Sequence, residues 1–371
     1  MTMSHRVRAC RYRLPSPLVN RSPLQSAELV WAICALAEQR AIPVDVLLRE
    51  AGIPASLRTD TDARISLEKK MALVRALLAR SGDPSVGVDV GGMYDPLAFH
   101  VVSVVSALLP TARDAMRLFA ENAHMLDATF AISYFETPEE ARIVFTDDEL
   151  DLGELRRFYM DVHLAVVVCF WRSLRSDGRS GPVKEIWSRV DFDYARPAEA
   201  SKYEAFFRCP VRFGVDVSGV AVDPSDDLPR NVPGSHHSDR AKKRLRQLAG
   251  DVAVDADMIA VVRRIVAVQV GVHHTLPRAD EIAARLQISD RTLRDQLAKR
   301  DTSFREILER AVAQRAKFHL REGADSIGKI AVRVGYADAS GFVRAFRRAT
   351  GMTPNEYRES VEARPSLPPD R

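Results

Sequence analysis

The C-terminal third of the chain carries one pattern twice. EIAARLQISDRTLRDQLA begins at Glu281 and KIAVRVGYADASGFVRAF at Lys329. Setting Ile282 on Ile330 aligns Ala283 with Ala331, Arg285 with Arg333 and Asp290 with Asp338, an offset of 48 residues. The second copy then carries one extra residue, so Leu293 corresponds to Phe342 and Leu297 to Phe346. Each copy predicts helix, turn, helix. Ile327, Ile330, Ala331 and Val334 fall at i, i+3, i+4, i+7, and Phe342, Ala345, Phe346 and Ala349 repeat that spacing. Gly335 sits where the first helix must stop in a left-handed conformation, with Gln287 in the equivalent place at a modest steric cost. Ser289 and Asp338 are good N-caps for the second helices.

A short helix, a tight turn and a second helix with a polar outer face form a helix-turn-helix. In the second copy Phe342 and Phe346 anchor the helix, while Ser340, Val343, Arg344 and Arg347 project outward. A helix fits the major groove, where such side chains reach base edges and flanking arginines such as Arg348 neutralise phosphates. Asp338 opens the same helix; in the first copy the corresponding candidates are Arg291, Thr292 and Arg294. One copy alone fits an ordinary helical hairpin. Two copies joined by one long helix, SFREILERAVAQRAKFHLREG, favour a DNA-reading unit. Charge agrees: residues 255–359 hold 19 Lys/Arg against 14 Asp/Glu, a net +5 in a chain whose total is +4.

At 371 residues the chain is long enough for two or three domains. Residues 1–22 are Arg-, Pro- and Ser-rich and read as a disordered basic tail, and 361–371 read as a disordered tail. Residues 23–225 read as an α+β domain. It begins with helices punctuated by Pro43 and Pro54, with Ser66 as an N-cap, followed by an apolar run from Phe99 to Leu109. TFAISYFE and ARIVFTD read as a hairpin, Leu152–Leu174 as a long helix, and EIWSRVDFDY and VRFGVDVSGVAVD as further strands. Residues 226–254 read as a linker and 255–360 as all helix, with Met258, Val261, Val262, Ile265 and Val266 on one face of its first helix.

Cys10, Cys34, Cys169 and Cys209 form no Cys-x-x-Cys pair, which argues against a zinc site and suits a reducing cytoplasm. No apolar run is long enough to span a bilayer, and no signal-peptide pattern follows the basic N-terminus. No dinucleotide, Walker or nucleophile-elbow motif is present, so neither an enzyme nor a cofactor is expected. His236-His237 and His273-His274 are adjacent pairs whose side chains diverge, and they read as structural or linker residues. Asp147, Asp148, Glu149 and Asp151 read as a solvated turn.

IGKIAVRVGY, ADASGFVRAFRRATG and MTPNEYR resemble the signature of the AraC/XylS family of transcriptional regulators through Ile330, Ala331, Gly335, Phe342, Phe346, Gly351, Pro354 and Tyr357. More loosely, DARISLEKKMALVRALLARSGDPSVGVDVG, LLPTARDAMRLF and YEAFFRCPVRFG resemble the arabinose-binding-like sensor domain of the ornithine-utilisation-regulator branch. The resemblance implies an α+β sensor and dimerisation domain followed by an all-α domain with two helix-turn-helix motifs on a long connecting helix. It also implies double-stranded promoter DNA and RNA polymerase as partners, a small-molecule effector, a homodimer, and activation more than repression. Tyr94, His100, His124 and Arg156 are the candidate effector contacts. The chain departs from the family at Asp295, where a basic residue is usual, at Asp301 where Gly is usual, at Val312 where Arg is common, and at Ala349 where Trp is frequent.

Two other functions fit a pair of helical hairpins. One is a scaffold for a protein partner, against which the arginines of the second motif argue. The other is a DNA alkyl-transfer repair protein. That would need a cysteine quartet and a Pro-Cys-His-Arg setting, whereas Cys209 is followed by Pro210 and Val211.

Overall fold

The structure, a computed structural model, describes residues 24–58, 64–94, 112–122, 129–136, 140–147, 152–175, 187–222, 258–286, 288–322 and 325–362. Several sequence expectations therefore lie outside the described residues. These are both terminal tails in large part, the linker, the apolar run from Phe99 to Leu109, His100, His124, Gln287, His236-His237 and the acidic residues 148–151.

The N-terminal half opens with a short antiparallel ribbon, β1 (Leu24–Ser26) on β2 (Arg64–Ser66). Helices α1 (Glu28–Gln39), α2 (Val44–Glu50), α3 (Leu67–Ser81) and α4 (Val86–Gly92) follow the proline-punctuated pattern. Ser66 caps α3 as expected, its Oγ accepting from the Lys69 N–H at 3.4 Å. Helix α5 (Ala112–Asn122) lies before the sheet, and α6 (Arg156–Arg175) is the long helix read from the sequence. Helices α4 and α6 touch almost backbone to backbone. A Cβ built on Gly91 would lie 2.5 Å from Ala165 Cβ and 2.7 Å from the Val162 carbonyl, so only glycine fits.

The sheet has five strands in the order β3-β4-β7-β5-β6. They are β3 (Phe130–Glu136), β4 (Ala141–Asp147), β5 (Trp187–Phe192), β6 (Val211–Phe213) and β7 (Ser218–Val222). β3 and β4 form the expected hairpin, with Ile132 opposite Phe145. β7 inserts between β4 and β5, and β6 runs parallel to β5 after the short helix α7 (Ala200–Phe207).

A strand with one covered face alternates buried and exposed residues. β4 does not, because Ile143, Val144, Phe145 and Thr146 are all buried. Ile143 and Phe145 join the N-terminal core. Val144 and Thr146 point to the opposite face, which is covered by the end of α8 (Met258–Gly271), the first helix of the C-terminal half. A Cβ on Gly271 would reach within 3.1 Å of Thr146 Cγ2. The two halves thus share the β3–β4 hairpin, one on each side.

The C-terminal half is all helix: α8, α9 (Ala279–Arg285), α10 (Asp290–Ala298), α11 (Phe304–Glu322), α12 (Ile327–Arg333), α13 (Ala339–Thr350) and α14 (Pro354–Glu362). Its core gathers Val262, Ile265 and Val266 of α8 with Ile282, Leu293, Leu297, Ile330, Phe342 and Phe346. Val312, at a place where the family favours Arg, is fully buried in this core. Asp301, at a usual Gly position, takes φ 53°, the left-handed backbone that explains the family's glycine.

Candidate nucleic-acid interface

The second helix-turn-helix is α12 and α13. Ser326 Oγ accepts from the Lys329 N–H at 3.3 Å and starts α12. Gly335 ends it at φ +91°, where a Cβ would come within about 3.0 Å of the backbone at Thr275. Asp338 then caps α13, its Oδ1 accepting from the Gly341 N–H at 2.9 Å. Phe342 and Phe346 are fully buried, and the aromatic stripe continues from Tyr336 through both rings to Tyr357 at centroid spacings of 5.7–6.0 Å.

With that stripe buried, Ser340, Arg344 and Arg347 stand exposed and Val343 is half-buried. Among the described residues Arg344 and Arg347 form no ion pair, so both guanidiniums are available to a polyanion. Arg348 differs. Its Nε donates to both Glu309 oxygens at 2.9 and 3.0 Å, and Arg305 shares the same carboxylate at 2.8 Å. Arg348 with Arg305 holds the Glu309 carboxyl below its ordinary range against the opposing effect of burial. Arg348 therefore ties α13 to the connecting helix α11.

The first helix-turn-helix is α9 and α10. Ser289 caps α10, its Oγ accepting from the Thr292 N–H at 3.0 Å, and the two hydroxyls share a hydrogen bond of 2.7 Å. Leu293 and Leu297 are buried, while Arg291, Thr292, Arg294 and Asp295 are exposed. Arg294 Nε lies 2.9 Å from Asp290, and Arg291 Nε lies 3.8 Å from Asp295. Exposed i,i+4 pairs of this kind are worth only about 0.3–0.5 kcal/mol and open readily. They still leave α10 near neutral, whereas the outer face of α13 is cationic.

The long helix α11 does more than connect the motifs. Its Phe318 is 3% exposed and belongs to the N-terminal core, not the C-terminal one. Arg156 of α6 lies over the Phe318 ring at 4.0 Å and Arg315 of α11 lies 4.9 Å from its centroid. Arg315 Nη1 donates to Asp193 Oδ2 at 2.9 Å. Arg156 grips the same carboxylate through two bonds of 3.0 and 2.8 Å, and grips Asp147 through two more of 2.6 and 3.2 Å. Ser218 Oγ completes the cluster by donating to Asp193 Oδ1 at 2.8 Å.

Two guanidiniums thus face two carboxylates in a nearly sealed space. Burial alone would raise the Asp193 carboxyl, but Arg156 and Arg315 outweigh it and hold it well below the usual range. Asp147, read from the sequence as part of a solvated turn, is instead a partly buried ion-pair partner, because two arginines from distant segments reach it. His319 beside the cluster is kept neutral: burial and the neighbouring Arg315 push it down to about 2.

A second contact ties the second motif to the sheet. His274 Nδ1 donates to the Arg333 carbonyl at 2.7 Å, and its Nε2 lies 3.4 Å from Asp216. A ring nitrogen facing a carbonyl must carry the proton, so Nδ1 is the donor. His273 meets the Phe135 ring edge-on at 5.6 Å. The His273-His274 pair is structural, as its sequence suggested, and its structural role is to join the two halves.

Of the candidate effector residues, Tyr94 is half-buried against the N-terminal core. Arg156 sits in the ion cluster, 7% exposed, with its guanidinium engaged by two carboxylates. A cleft of about 100 Å³ opens beside the cluster, lined in part by Asp147, Arg263, Gln314, Lys317 and Thr350. Arg315, Phe318, Asp193, Asp216 and Arg333 are not legible as a set in the sequence. Their partners lie up to 122 residues apart, and no spacing rule links them.

Comparison with known proteins fits this geometry. Residues 42–228 match the model of the arabinose-binding domain of AraC transcription regulator, N-terminal, and residues 282–360 match a helix-turn-helix domain. An uncharacterised HTH-type transcriptional regulator of Mycobacterium tuberculosis is 27% identical over 93% of this chain and 98% of its own length. The ornithine utilization regulator of Pseudomonas aeruginosa is 27% identical over 94% of this chain and all of its own. The HTH-type transcriptional regulator GadX of Escherichia coli is 37% identical over 78 residues, 21% of this chain and 28% of its own. With the sensor-domain model covering half of the sequence and the duplicated motif behind it, the chain belongs to the AraC family of helix-turn-helix transcriptional regulators, whose C-terminal helices bind DNA.

Proposed function

We propose that the chain is a cytoplasmic transcriptional activator, not an enzyme, that binds double-stranded promoter DNA as a homodimer and engages RNA polymerase in response to a small-molecule effector. Residues 23–225 sense and dimerise, 226–254 link, and 255–360 read DNA. The observation that carries the regulatory reading is the joint itself. Phe318 and Arg315 leave the DNA-reading half and enter the sensor, where they meet Arg156, Asp193 and Asp147. A change in the sensor that shifts α6 or the β3–β4 hairpin must move α11, which carries both recognition helices. Tyr94, His100 and His124 remain the candidate effector contacts. Arg156 acts through the joint. The family supports activation and dimerisation. Among the described residues no helix is long and apolar enough to cross a membrane.

Run-off transcription with purified RNA polymerase, on a promoter that the protein selects from genomic fragments, tests the proposal. The expected result is more transcript with the protein than without it, and a sedimenting species of two protomers per site. Less transcript would contradict activation, and one protomer per complete site would contradict the dimer.

A further inference from the structure

The two recognition helices are superposable in sequence but not in charge. Successive residues on an α-helix are about 100° apart, so a residue midway between two buried positions four apart lies about 160° from each. In α10 the residue midway between buried Leu293 and Leu297 is Asp295, and in α13 the residue midway between buried Phe342 and Phe346 is Arg344. Each therefore stands at the crest of its helix, opposite the face that packs into the core. Both are exposed, Asp295 with 62% of its side chain open to solvent.

A carboxylate at the crest is repelled by phosphates and gains nothing from guanine O6 or N7, from adenine N7 or from thymine O4, all of which are acceptors. The one base that presents only a donor in the major groove is cytosine, through its N4 amino group. An arginine at the crest has the opposite preference, for the paired acceptors O6 and N7 of guanine. Arg291 makes the carboxylate tolerable near DNA. It lies one turn back, 3.8 Å from Asp295 and 92% exposed, so it can swing to a phosphate while the carboxylate turns to the base.

We infer that Asp295 is a specificity-determining residue that reads a cytosine in the subsite of the first motif, while Arg344 reads a guanine in the subsite of the second. The inference rests on the promoter-binding reading above and adds to it the identity of two bases. One good base contact discriminates by 1–3 kcal/mol, which corresponds to about 5- to 100-fold in affinity.

Selection of bound duplexes from a randomised pool tests it, using the full-length protein, Asp295→Asn and Arg344→Ala. Both positions are exposed crests, so the variants keep the fold, and circular dichroism confirms this. The wild type should enrich two separated blocks. Asp295→Asn should change one position of one block from C to A, because an amide pairs with adenine N6 and N7. Arg344→Ala should erase a G in the other block and leave the first unchanged. If Asp295→Asn enriches the same bases as the wild type while Arg344→Ala loses its G, the inference about Asp295 is wrong and promoter reading stands. If the wild type enriches no sequence at all, promoter reading falls and the inference falls with it.

Discussion

Replacing Arg315 with Ala removes one of two cations from the sealed joint. Asp193 is fully buried on its side chain and Asp147 is 10% exposed, so neither carboxylate can recruit water freely. Removing one partner of a buried pair costs about 3–5 kcal/mol, because the remaining charge is left uncompensated. Here Arg156 still holds both carboxylates through two bonds each, which places the expected loss near the lower end, about 3 kcal/mol. The phenyl ring of Phe318 also loses one of its two covering guanidiniums. Urea denaturation of the full-length protein at pH 7 reads this loss as a lower midpoint.

The pH dependence gives a second check of the same reasoning. Asp193 in the wild type has a depressed folded pKa, so its contribution is fully present above the ordinary carboxylate range and is lost as pH falls through the folded value. In Arg315→Ala part of the cause of that depression is gone, so Asp193 protonates at a higher pH and the uncompensated charge is relieved. The gap between variant and wild type should therefore narrow as pH falls through and below the ordinary carboxylate range, about 4. A loss below about 0.5 kcal/mol at pH 7, or a gap independent of pH, would mean that α11 does not dock on the sensor and that the cluster is solvated.

Three further outcomes are expected. Phe346→Ala should destabilise the C-terminal half by about 3–5 kcal/mol in urea titration, since the ring is fully buried between Phe342 and Tyr357; a near-neutral change would show the stripe is not core. Gly335→Ala should cost at least about 1 kcal/mol, because the position has positive φ and the new Cβ would press on the backbone of Thr275 and Leu276; an unchanged midpoint would refute that geometry. Asp161 accepts from the Tyr194 and Tyr203 hydroxyls, and burial raises its carboxyl to about 7. A raised folded pKa means stability present at low pH and lost as pH rises from about 4 through 7. Wild-type stability should accordingly fall over that window relative to Asp161→Asn, and parallel curves would contradict the assignment.

Local signals in the sequence agree with the structure where the physics is local. Ser66, Ser289 and Asp338 cap the helices they were expected to cap, because a cap needs only the next three residues. Gly335 and the apolar periods of both motifs are legible for the same reason, except at Ala349, which is exposed past the last buried turn, as are the β3–β4 hairpin and the strands after it. Charge partnership was not legible. Arg344, Arg347 and Arg348 look alike in sequence, yet Arg348 is taken by Glu309, which lies 39 residues away. Phe318 looks like one more apolar residue of the connecting helix, and only the tertiary arrangement shows that it packs in the other half. Asp147 looks like the start of an acidic loop because its two arginines come from separate helices.

The outer face of α13 is the surface proposed to read promoter DNA. The most direct measurement is binding of full-length protein to a pool of genomic fragments, followed across salt concentrations for the wild type and Arg344→Ala. A few promoter fragments should be enriched, with affinity falling steeply as salt rises because each neutralised phosphate releases counterions. Arg344→Ala, folded and equally stable, should bind those fragments about 5- to 100-fold more weakly. Uniform binding of all fragments, or an Arg344→Ala protein that selects the same promoters with the same affinity, would contradict the account.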